Sequence, residues 1–169
     1  ARLLPFPSLT FTNVTVASAE PGVPAMTVDE FSMDAELAPF MRGEVLIFDM
    51  RLVRPEGRIS ISQDGTIDWA MRPSSPFDPS QITLEKLTVS EGRITVWHQA
   101  SGREHIVSEL NADMSARSLA GPWRIDGSLR LDGVLTALSV STGTRAADGR
   151  MRVRTTIQPE PYPVSIETD

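Results

Sequence analysis

Apolar residues fall at Ile82, Leu84, Leu87 and Val89, two alternating pairs held apart by the polar dipeptide Glu85-Lys86. Strict alternation puts side chains of one kind on one face of a pleated strand, so an extra residue between the pairs keeps that face only where the chain bulges. The same spacing recurs at Leu9, Phe11, Val14 and Val16, at Met26, Val28, Phe31 and Met33, and at Val45, Ile47, Met50 and Leu52. A looser copy runs through His105, Val107, Leu110 and Ala112. Each copy predicts a strand with one apolar face despite its phase slip, and repetition predicts a continuous apolar surface.

Read in order, the chain begins with an extended run around Pro5 and Pro7, which cannot donate to a sheet ladder at the prolines. A slipped strand is predicted over 9–17, followed by a turn at Pro21, Gly22 and Pro24 and a long strand over 25–37. Pro39 breaks that strand, with at most one helical turn over 38–42. The strand over 44–53 carries Leu46 and Phe48 on the face that is polar elsewhere, which predicts cover on both sides, supplied by Pro39-Phe40-Met41 folding back. Pro55, Glu56 and Gly57 predict a turn into a strand over 58–62, and Gln63-Asp64-Gly65 a hairpin into 66–71. Residues 72–80, with prolines at 73, 76 and 79, form a loop.

After that loop the pattern restarts. Strands over 82–90, 94–99 and 104–116, with turns at Glu91-Gly92 and Ser101-Gly102, predict a three-stranded meander. Strands over 123–131, 134–142, 151–157 and 164–168 follow, with turns at Asp132-Gly133 and at 147–149. Segments 9–37 and 82–116 reuse one strand pair, and Glu56-Gly57-Arg58-Ile59 is echoed by Glu91-Gly92-Arg93-Ile94, the signature of a supersecondary unit repeated within one domain. The expected fold is all-β, a curved and mostly antiparallel sheet of about a dozen strands, either an open groove or a sandwich.

Length supports one domain over residues 1–169, and the start at Ala1 and the finish inside an alternating run suggest a piece of a longer protein. The net charge of -6 and the lack of any basic run argue against a nucleic-acid partner, whose phosphates require clustered Lys and Arg. Lys86 is the single lysine. With no cysteine, disulfides, thiolate metal sites and thiol nucleophiles are excluded. No run approaches the roughly 18 apolar residues of a membrane-spanning helix.

Candidate chemistry is sparse. His98 and His105 could face each other across a turn, but without a carboxylate framework they read as surface histidines, so no metal and no cofactor is expected. Asp64, Asp68, Asp148, Glu56 and Glu91 sit in or beside predicted turns, where such residues belong for turn chemistry. No nucleophile-elbow serine and no phosphate-cradling glycine loop is present, which leaves an enzyme little basis. Trp69 and Trp123 are in phase with apolar neighbours and read as core, whereas Trp97 is out of phase and points to the other face. Asn13-Val14-Thr15 matches a glycosylation acceptor of low specificity.

What remains is the stripe itself. Its candidate ligand-facing residues are Val14, Val16, Met26, Val28, Phe31, Met33, Ile47, Met50, Leu84, Leu87, Val89, Ile94, Val96 and Leu110. The competing interpretation makes them an ordinary sandwich core closed by a second sheet.

Four stretches bear on the choice: Leu4-Pro5-Phe6-Pro7-Ser8-Leu9 with Asn13-Val14-Thr15-Val16, then Leu37-Ala38-Pro39-Phe40-Met41-Arg42-Gly43, then Asp64-Gly65-Thr66-Ile67-Asp68-Trp69, then Leu87-Thr88-Val89-Ser90-Glu91-Gly92-Arg93-Ile94. In that order they resemble the AsmA family of Gram-negative envelope proteins, although Asp68 stands where the family has Asn before Trp. The resemblance implies a protein anchored in the inner membrane by an amino-terminal helix before Ala1 and facing the periplasm. It further implies kinship with TamB-like and bridge-like lipid transfer proteins, with phospholipid acyl chains and envelope-assembly proteins as partners. It carries over no catalytic residue. The resulting expectation is an apolar groove for phospholipid transport in outer-membrane assembly, with a non-enzymatic protein-interaction module as the alternative.

Overall fold

The computed structural model describes residues 7–17, 24–36, 44–64, 67–69, 78–118, 120–144, 151–160 and 166–168. The chain is all-β. Its strands are β1 (Ser8–Ala17), β2 (Pro24–Glu36), β3 (Val45–Val53), β4 (Glu56–Ile61), β5 (Ile67–Trp69), β6 (Ile82–His98), β7 (Arg103–Ala116), β8 (Trp123–Leu131), β9 (Val134–Thr142), β10 (Val153–Pro159) and β11 (Ile166–Thr168). Among the described residues the only helical element is a 3-10 turn at Pro79–Gln81.

All eleven strands belong to one mostly antiparallel sheet, with β1 beside β2 and the order then running through β3, β6, β7, β8, β9 and β10 to β11. β4 continues in the lane of β3 between β2 and β6, and β5 lies alongside β4 in the lane of β2. The eleven strands therefore occupy nine lanes. Two pairings are parallel, β3 with β6 and β4 with β6, and the remainder antiparallel.

The phase slips explain two departures from the expected meander. At Glu91-Gly92 the chain does not turn: β6 runs unbroken for 17 residues, so the predicted strands over 82–90 and 94–99 are one strand and the meander has two members. At Pro55-Glu56-Gly57 the chain likewise continues straight, with Arg54 N–H donating to Ser90 O and Arg93 N–H donating to Pro55 O, both at 2.8 Å. Gly beside Glu reads as a hairpin in the sequence because a residue with positive φ is needed in both cases. Here that conformation is used for a bulge: φ is +47° at Arg54, +55° at Glu91 and +49° at Glu109. Register shifts fall beside them, between Val89 and Gly92 and between Ser108 and Asn111.

Hairpins elsewhere follow the sequence. Asp132 and Gly133, with φ of +49° and +89°, form the two-residue turn between β8 and β9 that right-twisted strands favour. β4 and β5 form the expected antiparallel pair. The predicted helical turn over 38–42, the Pro39-Phe40-Met41 cover and the turn at 147–149 lie outside the described residues.

Candidate apolar face and its boundaries

Within the β1–β2 and β3–β6 pairs the slips coincide, whereas β2–β3 shifts register between Asp34 and Ala35 and β6–β7 between Leu84 and Leu87. Across β1 and β2, Leu9 opposes Met33, Phe11 opposes Phe31, Val14 opposes Val28 and Val16 opposes Met26, so the displaced pairs remain matched. Across the parallel lanes, Ile47 opposes Leu84, Met50 opposes Leu87 and Leu52 opposes Val89. One side chain of each pair lies beside the next, and every copy of the spacing contributes to the same face.

Two glycines show that the face survives the slip. A Cβ built on Gly92, beyond the bulge, would lie 3.3 Å from Val89 Cγ1, Leu110 Cβ and Pro55 Cγ, which places residues from both sides of the slip on one surface. A Cβ on Gly57 would point toward Met26 Cγ at 4.0 Å. Beyond the slip the face continues through Ile94, opposite Val107 and Gly57, and Val96, opposite His105 and Ile59. All fourteen candidate residues thus stand on this face.

The face also extends further than the slipped spacing indicates. Met114 opposes Ile125, Ile125 opposes Val140, Gly127 opposes Leu138, and Leu138 opposes Ile157. These C-terminal strands alternate strictly, and that signal is present in the sequence at Trp123, Ile125, Leu129 and Leu131. Ile82, the first residue of the slipped spacing, and Ala116, which lies beyond the looser copy, also belong: with Ile47 and Leu84 they form the buried cluster against which Met33, Val45, Met50, Leu87 and Trp123 pack. Thr136, the buried polar residue on this face, donates its hydroxyl to Val134 O at 3.1 Å and so enters without an unsatisfied donor.

The opposite face is polar. Thr88 Oγ1 donates to Asp113 at 2.8 Å and Ser139 Oγ to Asp126 at 2.7 Å. Along the slip runs a row of charge: Arg54 Nε lies 2.7 Å from Asp29 and Arg54 Nη1 3.7 Å from Glu91. Asn111 Oδ1 accepts from Glu91 N–H at 3.0 Å, and Arg130 Nε lies 2.9 Å from Glu109. The Asp29 carboxylate raises the Arg54 guanidinium further above its ordinary value, chiefly through their hydrogen bond. Trp97 is on the polar side, opposite Glu104 and Ser60, and 39% exposed. Leu46, opposite Thr83, shares that side and is half-buried.

The two histidines do not face each other. His98 Nδ1 is 2.7 Å from Ser101 Oγ, whereas His105 Nδ1 is 2.6 Å from Asp132 at the β8–β9 turn. That contact, then the Ile106 N–H, holds the Asp132 carboxyl below its ordinary value. Among the described residues no three His, Asp or Glu side chains converge as metal ligands do. The carboxylates Asp64, Glu56 and Glu91 are exposed, the side chain of Asp68 lies outside the described residues, and so does Asp148.

Nothing among the described strands covers the apolar face. Every pair of elements in extensive contact consists of lateral neighbours in the sheet, as a single layer requires. Among the described residues eight apolar side chains of the core are buried, and the rest of the face is half-exposed or, as at Leu9, Phe11, Leu131 and Val134, exposed. A hollow of about 630 Å³ opens where β6 and β8 begin and β7 and β9 end, with Leu84, Ala116 and Trp123 beside Arg117 and Arg124 in its lining. No helix among the described residues is long and apolar enough to cross a membrane, which leaves spanning by strands untouched.

Searches of family models, curated proteins and solved structures give no match for this chain.

Proposed function

We propose that this chain is a segment of an apolar conduit on which lipid acyl chains lie, of the kind implied by its resemblance to the AsmA family. The observation that carries the reading is the single-layer sheet whose continuous apolar face has no second layer among the described residues. Burial of hydrocarbon stabilises by about 0.8 kcal/mol per methylene, so even partial contact of one chain yields several kcal/mol gross. Nine lanes at roughly 4.8 Å give a face about 38 Å wide, against about 15 Å for one acyl chain in half a bilayer core. A row of similar apolar side chains also suits movement better than one deep pocket, because no position holds the chain much more tightly than the next. On this reading the segment belongs to a protein of the periplasmic side of the inner membrane, and phospholipid is its cargo.

The test is photo-cross-linking with vesicles of phosphatidylethanolamine and phosphatidylglycerol. Val28 and Leu84 are only 2% and 3% exposed, so probes belong at their half-exposed neighbours Phe31, Leu87 and Val96, with Arg93 and Ser139 as polar-face controls. Lipid adducts at the first three and not at the controls are expected. Equal labelling of both faces would remove the conduit reading and leave the protein-interaction module.

A further inference from the structure

β1 ends the sheet on one side, and among the described residues it pairs with β2 alone. An edge strand presents a row of free N–H and C=O groups, and soluble proteins ordinarily protect such rows with charged residues, proline or a short strand. β1 has no charge and no proline in its ten residues, SLTFTNVTVA, and its one left-handed residue, Asn13 at φ +54°, sits at the slip, across which the β1–β2 ladder stays in register. The only other strand without a charged residue, β9, lies inside the sheet between β8 and β10. The apolar face also runs up to this edge and stops with large side chains uncovered. Phe11 stacks on Phe31 at 6.2 Å between ring centroids and is still 51% exposed, and Leu9 is 44% exposed.

The spacing of β1 specifies what fits. Leu9, Phe11, Val14 and Val16 are placed symmetrically about the point between Thr12 and Asn13, so the strand presents the same pattern in either direction. The β1–β2 ladder shows that two antiparallel strands with this spacing keep register through the slip. We propose that β1 pairs antiparallel with β1 of a second copy of this chain. Leu9 then opposes the partner's Val16, Phe11 opposes the partner's Val14, and Thr10 opposes the partner's Thr15. A regular strand could not form this symmetric register, because Thr12 and the partner's Asn13 would emerge on opposite faces; the slip puts both on the polar side. The pairing joins two apolar faces into one and satisfies both edges. It stands independently of any lipid, and its test uses none.

Because the chain has no cysteine, a Thr10→Cys/Thr15→Cys variant carries the only two thiols. Five positions along a strand span roughly 17 Å, beyond disulfide reach within one chain, whereas opposed positions across a ladder are within it. Mild oxidation is expected to give a dimer of twice 18.5 kDa whose peptide map joins position 10 of one copy to position 15 of the other. Thr10→Cys alone is expected to stay largely unlinked. A second pair of variants keeps the fold and changes only exposed polar positions: Thr10→Lys/Thr15→Lys and Thr10→Glu/Thr15→Glu each sediment as monomers, and an equimolar mixture restores the dimer. Wild-type protein that is monomeric at every accessible concentration overturns the proposal. So does a dimer that survives both substitutions, or one cross-linked equally well by Thr10→Cys alone.

Discussion

Arg54 Nε lies 2.7 Å from Oδ2 of Asp29, joining the junction of β3 and β4 to the middle of β2 at the point where both lanes slip. The pair belongs to the polar row that also includes Glu91, Asn111, Glu109 and Arg130. On the reverse side of the same line Pro55, Val89, Gly92 and Leu110 meet. This line of slips is thus one transverse feature of the sheet, distinct from the slip shared by Ile47–Met50 and Leu84–Leu87, and the backbone conformations that create it matter more than the exposed ion pairs above it. Exposed pairs contribute little and are screened by salt. Neutralising Asp29 with Asn is therefore expected to leave the urea midpoint nearly unchanged at 0.5 M salt and to lower it slightly at 10 mM.

Glu91 tests the conformational half of that argument. At φ +55° a residue with a Cβ is strained and a β-branched one more so, whereas glycine is at ease. Glu91→Gly is expected to be neutral or stabilising by up to about 1 kcal/mol, and Glu91→Val to destabilise by about 1–3 kcal/mol. Equilibrium urea unfolding of the two variants measures the difference; equal midpoints would contradict the left-handed bulge.

Burial differs sharply along the face, and so should truncation. Leu84 is 3% exposed within the Ile47, Ile82 and Ala116 cluster, and Leu84→Ala is expected to cost about 2–4 kcal/mol. Phe11 at the edge is half in solvent, and Phe11→Ala is expected to cost about 1 kcal/mol or less in the monomer. Thermal unfolding at a protein concentration too low for edge pairing separates the two.

Gly127 allows β7 and β8 to approach closely. A Cβ there would press on Asn111 O and lie 2.8 Å from both Cα and Cβ of Ala112. Gly127→Ala is expected to destabilise by about 1–3 kcal/mol through overpacking. Adding Ala112→Gly is expected not to restore stability, because the backbone atoms of Asn111 and Ala112 remain in the way. A urea double-mutant cycle checks both statements.

The Asp132 carboxyl, held below its ordinary value of 3.8 by His105 and by the Ile106 N–H, gives the β8–β9 hairpin an acid dependence. A carboxyl with a lower value in the folded chain than in the unfolded one adds stability above the unfolded value. That contribution fades as pH falls from about 3.8 through the folded value. Asp132→Asn keeps a residue that accepts φ +49° before Gly133, so the turn is retained while the charge is lost. The variant is expected to show a shallower loss of stability below pH 4 in acid titrations followed by circular dichroism. An acid limb identical to that of the wild type would show that the pair carries no such dependence.

Much of the fold is legible in the chain alone, because side-chain alternation is local. β8 and β9, bounded by Asp132-Gly133, end where the alternation and the turn residues place them. The membership of the apolar face is legible too: the spacing of Val45, Ile47, Met50 and Leu52 matches that of Ile82, Leu84, Leu87 and Val89, and those residues are lateral partners. Their parallel pairing, by contrast, depends on the long return from β5 to β6, which no local pattern encodes. The two Glu-Gly dipeptides read as turns in the sequence for a related reason. Positive φ serves a hairpin and a bulge equally well, and only the neighbouring lanes, with Arg54 N–H on Ser90 O and Arg93 N–H on Pro55 O, decide that the chain goes straight on. Which side chains share a face follows from periodicity along one strand and is therefore legible locally. Whether a second layer meets that face is a matter of how distant strands are ordered, and the tertiary structure alone decided it in favour of a single sheet among the described residues.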